Sequence, residues 1–444
     1  MVLAAISVYI VALYFIIVFI IGYLSSRRES REGFLIGDRS LGHFSLASTI
    51  CAGFIGGGFL VLFVGIAYTF GLSAIWLTAG QALGLVFFAM FGKKIKEAAD
   101  EKKFYTLADY FYDRYDRKTG LLLSAFVFLF FLAFIAVQFI ASGLILSGIS
   151  GWSYGISVLL VGAAIMSYML LGGFKAVVKT DVFQFISIAV LMAAIVFSLA
   201  GNVPLFPAGP ELFSIGAVKA LSFMIFGAFF VIIAADVWQR AYAAKSVRVM
   251  RKGFLLAAVF MLALGFLGSL LGIMARSLYP SITPENALVA SFSGLLSPFL
   301  AGLALVLLFS AIMSTLDTLV FVAAMSVSND LLPRLGRAFD AVRSTKAAIF
   351  IVCSLGVLIS LLVKSVIAFA FLFTACMLAL APIIIWMQFR PLKSNSVFFS
   401  LLATPLSVLI VYFMTGLKEE LSLVSFFVSL IALFLGQKIF KQPI

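Results

Sequence analysis

Apolar runs of about twenty residues recur from one end of this chain to the other, and that pattern restricts the fold more than any motif does. A run longer than roughly 18 residues with few charges is long enough to cross a bilayer as a helix. Barrel strands would alternate every second residue instead. Composition agrees: 64% of the 444 residues are hydrophobic and 11% are charged, against roughly half and a quarter in soluble domains. A surface facing water has no room for that excess, whereas acyl chains accept it. The sequence therefore predicts an all-α integral membrane protein whose first partner is the lipid bilayer.

Thirteen transmembrane helices are predicted, near residues 3–24, 44–70, 72–92, 120–149, 154–171, 177–200, 216–235, 253–275, 299–326, 347–363, 365–387, 397–415 and 421–437. The shorter apolar segment 286–297, ended by Pro298, reads as an external interfacial helix. Residues 3–24 are too long, and lack the preceding positive charge, for a cleaved leader. Cytoplasmic loops carry an excess of Lys and Arg. With the N-terminus outside and the C-terminus in the cytoplasm, 27 of the 31 Lys and Arg fall inside, leaving Lys219, Arg276, Lys364 and Lys418. An odd number of crossings follows, in the plasma membrane. The net charge of +13 is thus a topology signal and not a nucleic-acid footprint. No soluble domain is expected, since the amphipathic stretch from Phe104 to Tyr115 packs on the membrane surface but builds no core.

Cys51, Cys353 and Cys376 lie in apolar runs and read as buried thiols. His43 is the sole histidine, which leaves a transition metal short of ligands. The informative residues are acids within spans, because a mid-bilayer aspartate costs about 2.5–3.5 kcal/mol. Asp317 lies well inside the ninth span, where a purely structural role gives little reason to bear that cost. Asp181, in the first turns of the sixth span, is either functional or an anion favoured by the helix dipole. Asp236 reads as the i,i+4 partner of Arg240.

Around Asp317, Ala311, Ser314, Thr315 and Thr318 share one helix face. Hydroxyls beside a carboxylate suit a hard cation, which takes oxygen ligands. The competing reading is hydroxyls bonded to their own helix. In the second span, Gly56, Gly57 and Gly58 argue for a break, since each Gly costs about 1 kcal/mol in a helix interior. The alternative is a close helix crossing on a glycine face. Discontinuous helices hold ions and substrates near the midplane of transporters. A matching break in the seventh span is marked only by Gly227, beside Phe226. Gln81 and Gln138 are the other mid-span polar groups, either interhelical bonds or contacts to a polar, uncharged or zwitterionic solute.

At these residues the chain resembles the sodium:solute symporter family. The resemblance is carried by Gly37-Asp-Arg-Ser-Leu-Gly42, Thr106-Leu-Ala-Asp-Tyr110 with Arg114-Tyr115, Gly172-Gly-Phe-Lys-Ala-Val-Val-Lys-Thr-Asp181 with Gln184, Gln239-Arg240 with Ala243-Ala-Lys-Ser246, and Ala311-Ile-Met-Ser-Thr315 with Ser328-Asn-Asp330. These stand in the family's order and spacing. The resemblance implies a LeuT-type core of two inverted five-helix repeats, residues 44–200 and 216–387, with 3–24 and 397–437 peripheral. It implies sodium as coupling ion, held by Ala52, Ile55, Ala311, Ser314 and Thr315. It also implies a second cation site at Asp181, Ser314, Asp317 and Thr318. Gln81 falls where a galactose-carrying member places a carboxylate.

Two positions depart from the family. Phe54 stands where proline-carrying members have an acid, and Lys179 replaces a common aromatic residue. The expected function is sodium-coupled symport of a small polar, amino acid-like solute by alternating access, performed by a monomer that is not an enzyme. Proton coupling through Asp181 and Asp317 is the alternative within the fold. An intramembrane aspartyl hydrolase lacks its glycine-rich context here, and a sensory module would need a signalling domain.

Overall fold

The computed structural model describes residues 5–27, 30–201, 212–292, 298–335, 340–363, 367–415 and 421–440. Among them the chain is helical, apart from short connections and one isolated bridge between Leu41 and Ala244. In chain order the helices are α1 (Ala5–Ser26), α2 (Arg31–Ile36), α3 (His43–Phe54), α4 (Gly57–Phe70), α5 (Ile75–Lys102) and α6 (Leu107–Arg114). Next come α7 (Arg117–Ser150), α8 (Tyr154–Ala200), α9 (Ala217–Ile233), α10 (Ala235–Ala243), α11 (Val247–Leu278) and α12 (Ala287–Phe292). The last six are α13 (Pro298–Met325), α14 (Ala341–Leu362), α15 (Ile367–Met377), α16 (Leu380–Phe389), α17 (Ser394–Thr415) and α18 (Leu421–Ile439).

Nine helical stretches among the described residues are long and apolar enough to cross a membrane, and the bent pair α9–α10 makes ten. Two of the nine, Gly57–Lys102 and Tyr154–Ala200, run 46 and 47 residues, about twice what one crossing needs. Each contains a turn at a glycine with positive φ. Gly71 (φ +61) separates α4 from the short turn before α5. Gly173 (φ +48, ψ −144) folds α8 near its middle. A side chain at Gly173 would be strained by the dihedral and would lie 2.6 Å from the Phe34 carbonyl oxygen. The predicted fifth and sixth spans are therefore the two halves of α8.

Polar side chains set the helix starts outside the apolar layer. Ser30 accepts from Gly33 N at 2.7 Å, Asp116 from Thr119 N at 2.8 Å, and Asp340 from Arg343 N at 2.7 Å. Thr106 and Asp109 form a reciprocal capping box at α6. Each satisfies an amide that the helix leaves free. The stretch from Phe104 to Tyr115 is thus helical over α6, which buries Leu107, Ala108, Tyr110 and Phe111. Residues 93–102, predicted to begin a loop, continue α5 instead. Of the predicted interfacial segment 286–297, α12 covers all of the described part but Asn286, which ends a short 3-10 turn; residues 293–297 lie outside the described residues, as do Lys364 and Lys418.

The core holds α3, α8, α11 and α13, while large apolar side chains face outward. Phe197, Val218, Phe413 and Met414 are 79%, 82%, 80% and 80% exposed. Water would penalise such a surface, but lipid tails do not.

Both expected helix breaks exist, but only one lies where the sequence marks it. The second span divides at Ile55 (φ −89, ψ 59) and Gly56 (φ −72, ψ 162), between α3 and α4. The seventh divides at Ala234 (φ −68, ψ 108), with a 56° bend between α9 and α10. Gly227 is not the break. It lies inside α9, where a Cβ would be 2.3 Å from the Leu77 carbonyl oxygen. Gly80, on α5, similarly faces the Met224 carbonyl oxygen at 2.1 Å. These two glycines let the α5 and α9 backbones touch. Ala234 needs no glycine, because its dihedrals are ordinary extended backbone.

Candidate cation site at the helix break

The break after Phe54 frees carbonyls that a continuous helix would engage, and α13 presents hydroxyls to them. Ser314 Oγ donates to the Ala52 carbonyl oxygen at 2.9 Å and lies 3.2 Å from the Ala311 carbonyl oxygen. Thr315 Oγ1 donates to the Gly53 carbonyl oxygen at 3.0 Å. Ser314 and Ala52 are fully buried, and Thr315 is nearly so. Ile55 is the residue at which the helix ends. Close packing holds the junction: a Cβ on Gly56 would lie 2.5 Å from Thr315 Oγ1 and 2.6 Å from Gln138 Nε2, and one on Gly57 would lie 2.2 Å from Ile312 Cγ1. The glycines thus serve both the break and the close crossing. Neutral oxygens gathered at a buried junction are the ligand type a hard monovalent cation takes in place of its hydration shell.

The residues expected for a second cation make their hydrogen bonds to other partners rather than to one another. Asp181 and Thr318 meet, but through a guanidinium. Arg240 Nη2 donates to Asp181 Oδ2 at 3.2 Å and to Thr318 Oγ1 at 2.6 Å. Its Nε donates to Thr49 Oγ1 at 3.0 Å, and Nη1 to Asp236 Oδ2 at 3.0 Å. Thr49 in turn donates to Asp181. Ser314 faces Ala52 as described. Asp317 accepts from the Tyr168 hydroxyl of α8. Its Oδ2 and Asp181 Oδ1 are buried without partners. Asp317 forms no ion pair among the described residues, so burial leaves this carboxyl without a counter-charge.

The Asp236–Arg240 pair expected from the sequence is present, but it is not a solvated helix end. Arg240 is 1% exposed and joins α10 to α3, α8 and α13. It therefore does not belong among the loop cations, where charge placement alone puts it. The signal available was its setting, Ala235-Asp-Val-Trp-Gln-Arg-Ala-Tyr-Ala-Ala244, where one Asp is the sole other charge. Sequence reasoning also misses Tyr168 and Thr49, because hydroxyls in a span are common and no spacing ties them to Asp181 or Asp317.

Gln138 sits against the break, beside Gly56. Gln81 is buried on α5, where that helix meets α9, and each glutamine has an unpartnered Oε1. Phe54 packs on Phe230, with centroids 6.0 Å apart, and Phe230 packs on Phe226 at 6.0 Å. An aromatic row thus runs from α3 at its break to α9.

The chain is similar to characterised proteins in sequence and in fold. Sodium/pantothenate symporter of Haemophilus influenzae is 29% identical over 304 residues, covering 64% of this chain and 62% of that protein. The chain thus spans about three-fifths of that relative's length. Sodium/proline symporter of Staphylococcus aureus is 25% identical over 348 residues, covering 72% of this chain and 67% of that protein. Among solved structures, a substrate-bound, outward-open sodium-coupled sialic acid symporter superposes with a TM-score of 0.84 at 16% identity, covering 99% of both chains. A nucleobase-cation-symport-1 family transporter, closed on bromovinylhydantoin, gives 0.65 at 16% identity over 92% of this chain and 95% of its own. At such identity these two show the fold alone, which is LeuT-type. The sodium:solute symporter family description matches residues 34–401, and with that share of its length matched, the chain belongs to the sodium:solute symporter family.

Proposed function

We propose that the protein is a sodium-coupled secondary symporter that imports a small polar solute by alternating access. The observation that carries this reading is the meeting of the α3–α4 break with Ser314 and Thr315, through bonds of 2.9 and 3.0 Å. Sodium would be held by the carbonyls of Ala52, Ile55 and Ala311 and the hydroxyls of Ser314 and Thr315. Its positive charge would bridge the broken helix to α13, and so favour one state of the cycle. A bound ion shifts a conformational equilibrium only through unequal affinity for the two states. Solute and sodium must then strengthen each other's binding equally.

The solute would lie among Gly56, Gly57, Gln81, Gln138, Phe226 and Gly227, near the break. Neutral amides and an aromatic row, with Phe54 uncharged, favour an amino acid-like zwitterion or another uncharged polar molecule. We read residues 44–200 and 216–387 as inverted repeats. Support comes from a break in the opening helix of each, at Ile55–Gly56 and at Ala234. Thirteen crossings follow if α4 and α5, and the two halves of α8, are counted separately and the shorter apolar helix α18 is counted as a crossing. The N-terminus would lie outside, the C-terminus in the cytoplasm, in a plasma-membrane monomer.

The test is uptake into proteoliposomes under a sodium gradient. Ser314→Ala and Thr315→Ala each remove one oxygen, and should raise the half-activating sodium concentration about tenfold, equivalent to about 1.4 kcal/mol. Uptake driven by a pH gradient with choline replacing sodium would overturn the assignment.

A further inference from the structure

A small cavity with a mixed apolar and polar lining lies roughly 12–24 Å along the α13 direction from Ser314, taking about 1.5 Å per residue, where that helix passes into the π-helical turn Ser326–Leu331. Thr106, Gln239, Ser326 and Asp330 supply its polar lining, and it has room for one water or one small cation but not an organic solute. Asp330 is 1% exposed. Its Oδ1 accepts from Thr106 Oγ1 at 2.7 Å and from Asn329 Nδ2 at 2.9 Å. That same Asn329 Nδ2 is 3.1 Å from both carboxylate oxygens of Asp109, so two carboxylates share one amide. Arg334 is the cation beside them.

Gln239 is an independent observation. It is 2% exposed, it lines this cavity, and neither its Oε1 nor its Nε2 has a hydrogen-bond partner. A buried primary amide with both ends empty bears the full cost of its desolvation unless a bound species pairs with it. Among the described residues, two carboxylates stand near Arg334, and a bound positive charge would pair with what that guanidinium leaves uncompensated. Gln239 also adjoins Arg240 on α10, the helix that reaches the α3–α13 junction. Cavity size, an orphaned amide oxygen and an excess carboxylate converge.

We propose that Asp330 and Gln239 form a second binding station for a monovalent metal cation, at the α6 end of the bundle. The proposal rests on the sodium-symport reading for its role: a cation leaving the α3–α13 site would pause here, and sodium entering from the α6 side would occupy it and oppose release. Asp330 supplies the anionic oxygen and Gln239 Oε1 the neutral one, with Thr106 holding the carboxylate in place.

The experiment is sodium-dependent thermal stabilisation of the purified full chain, at constant ionic strength with choline. Stabilisation of the unmodified chain tests the symport reading itself. The station is then tested in a Ser314→Ala, Thr315→Ala background. That background should retain sodium stabilisation, and adding Asp330→Asn or Gln239→Leu should move its midpoint upward about tenfold or abolish it. Gln239→Glu, which keeps an oxygen and adds charge, should lower the midpoint, and so guards against variants that merely misfold. If the unmodified chain responds to sodium but the double-alanine background does not, the station is refuted while the symport reading survives. If the background responds and Asp330→Asn leaves the response unchanged, the cavity holds water or a proton only, and the proposal falls.

Discussion

Arg240 shows how much a single buried charge can organise. Its guanidinium faces two carboxylates and two hydroxyls on four helices. Removing one partner from a buried ion pair leaves the other uncompensated, at about 3–5 kcal/mol. Arg240→Gln should therefore lower the melting temperature more than any substitution of an exposed arginine. Asp181→Asn combined with Arg240→Gln should cost less than the two separate losses added, because the orphaned charge is removed as well. Thermal unfolding in detergent checks both, and strict additivity would refute the coupling. Gly56 offers a second test: Gly56→Ala forces a methyl against Thr315 and Gln138. Overpacking of about 1–3 kcal/mol should show as weaker stabilisation by sodium. Ser314, Thr315 and Asp317 were legible from sequence because oxygen within an apolar run needs a reason. The bonds of Arg240 to Thr49, Asp181 and Thr318 were not, because the same residue type marks loops.

At the level of elements, the glycine triplet announced the first break and nothing announced the second. Three glycines cannot extend a helix cheaply, whereas Ala234 leaves helical geometry for an extended conformation open to every residue. Across that break Trp238 Nε1 reaches back to the Ile232 carbonyl oxygen at 3.0 Å, and at the end of α10 Leu41 exchanges backbone bonds of 3.1 Å with Ala243 and Lys245. That exchange ties the start of the first broken span to the end of the other. Nearby, Glu32 on α2 accepts from Arg39 Nε at 2.8 Å and from the Tyr105 hydroxyl at 2.6 Å. Partial burial pushes the Glu32 carboxyl up, but these bonds outweigh it and hold the group below its ordinary range. A depressed carboxyl stabilises the fold above its unfolded pKa, and that contribution vanishes as pH falls through the folded value. Stability should thus drop below about pH 4.3 more steeply in the native chain than in Glu32→Gln. Parallel pH profiles of melting temperature would exclude this linkage.

For the whole molecule, orientation is the property that charge distribution addresses most directly. Lys118 and Trp152 are exposed at opposite ends of α7. The three native cysteines are buried, so single cysteines can be placed at either position without competing labels. With the N-terminus outside, Lys118→Cys should react with an impermeant maleimide only from the cytoplasmic side, and Trp152→Cys only from the external side. The reverse pattern would invert the orientation and, with it, the direction in which the Asp330 cavity opens.

Hydropathy and charge placement alone determined that this chain is a helical membrane bundle, because lipid forbids unsatisfied backbone and so leaves few folds open. They also marked the hydroxyls and acids whose burial demands a purpose. Only the tertiary structure decided which of those groups meet. Ser314 and Thr315 reach the first break, Asp181 is claimed by Arg240, and Asp317 turns to Tyr168. Those pairings join helices distant in the chain, and no local spacing carries that information.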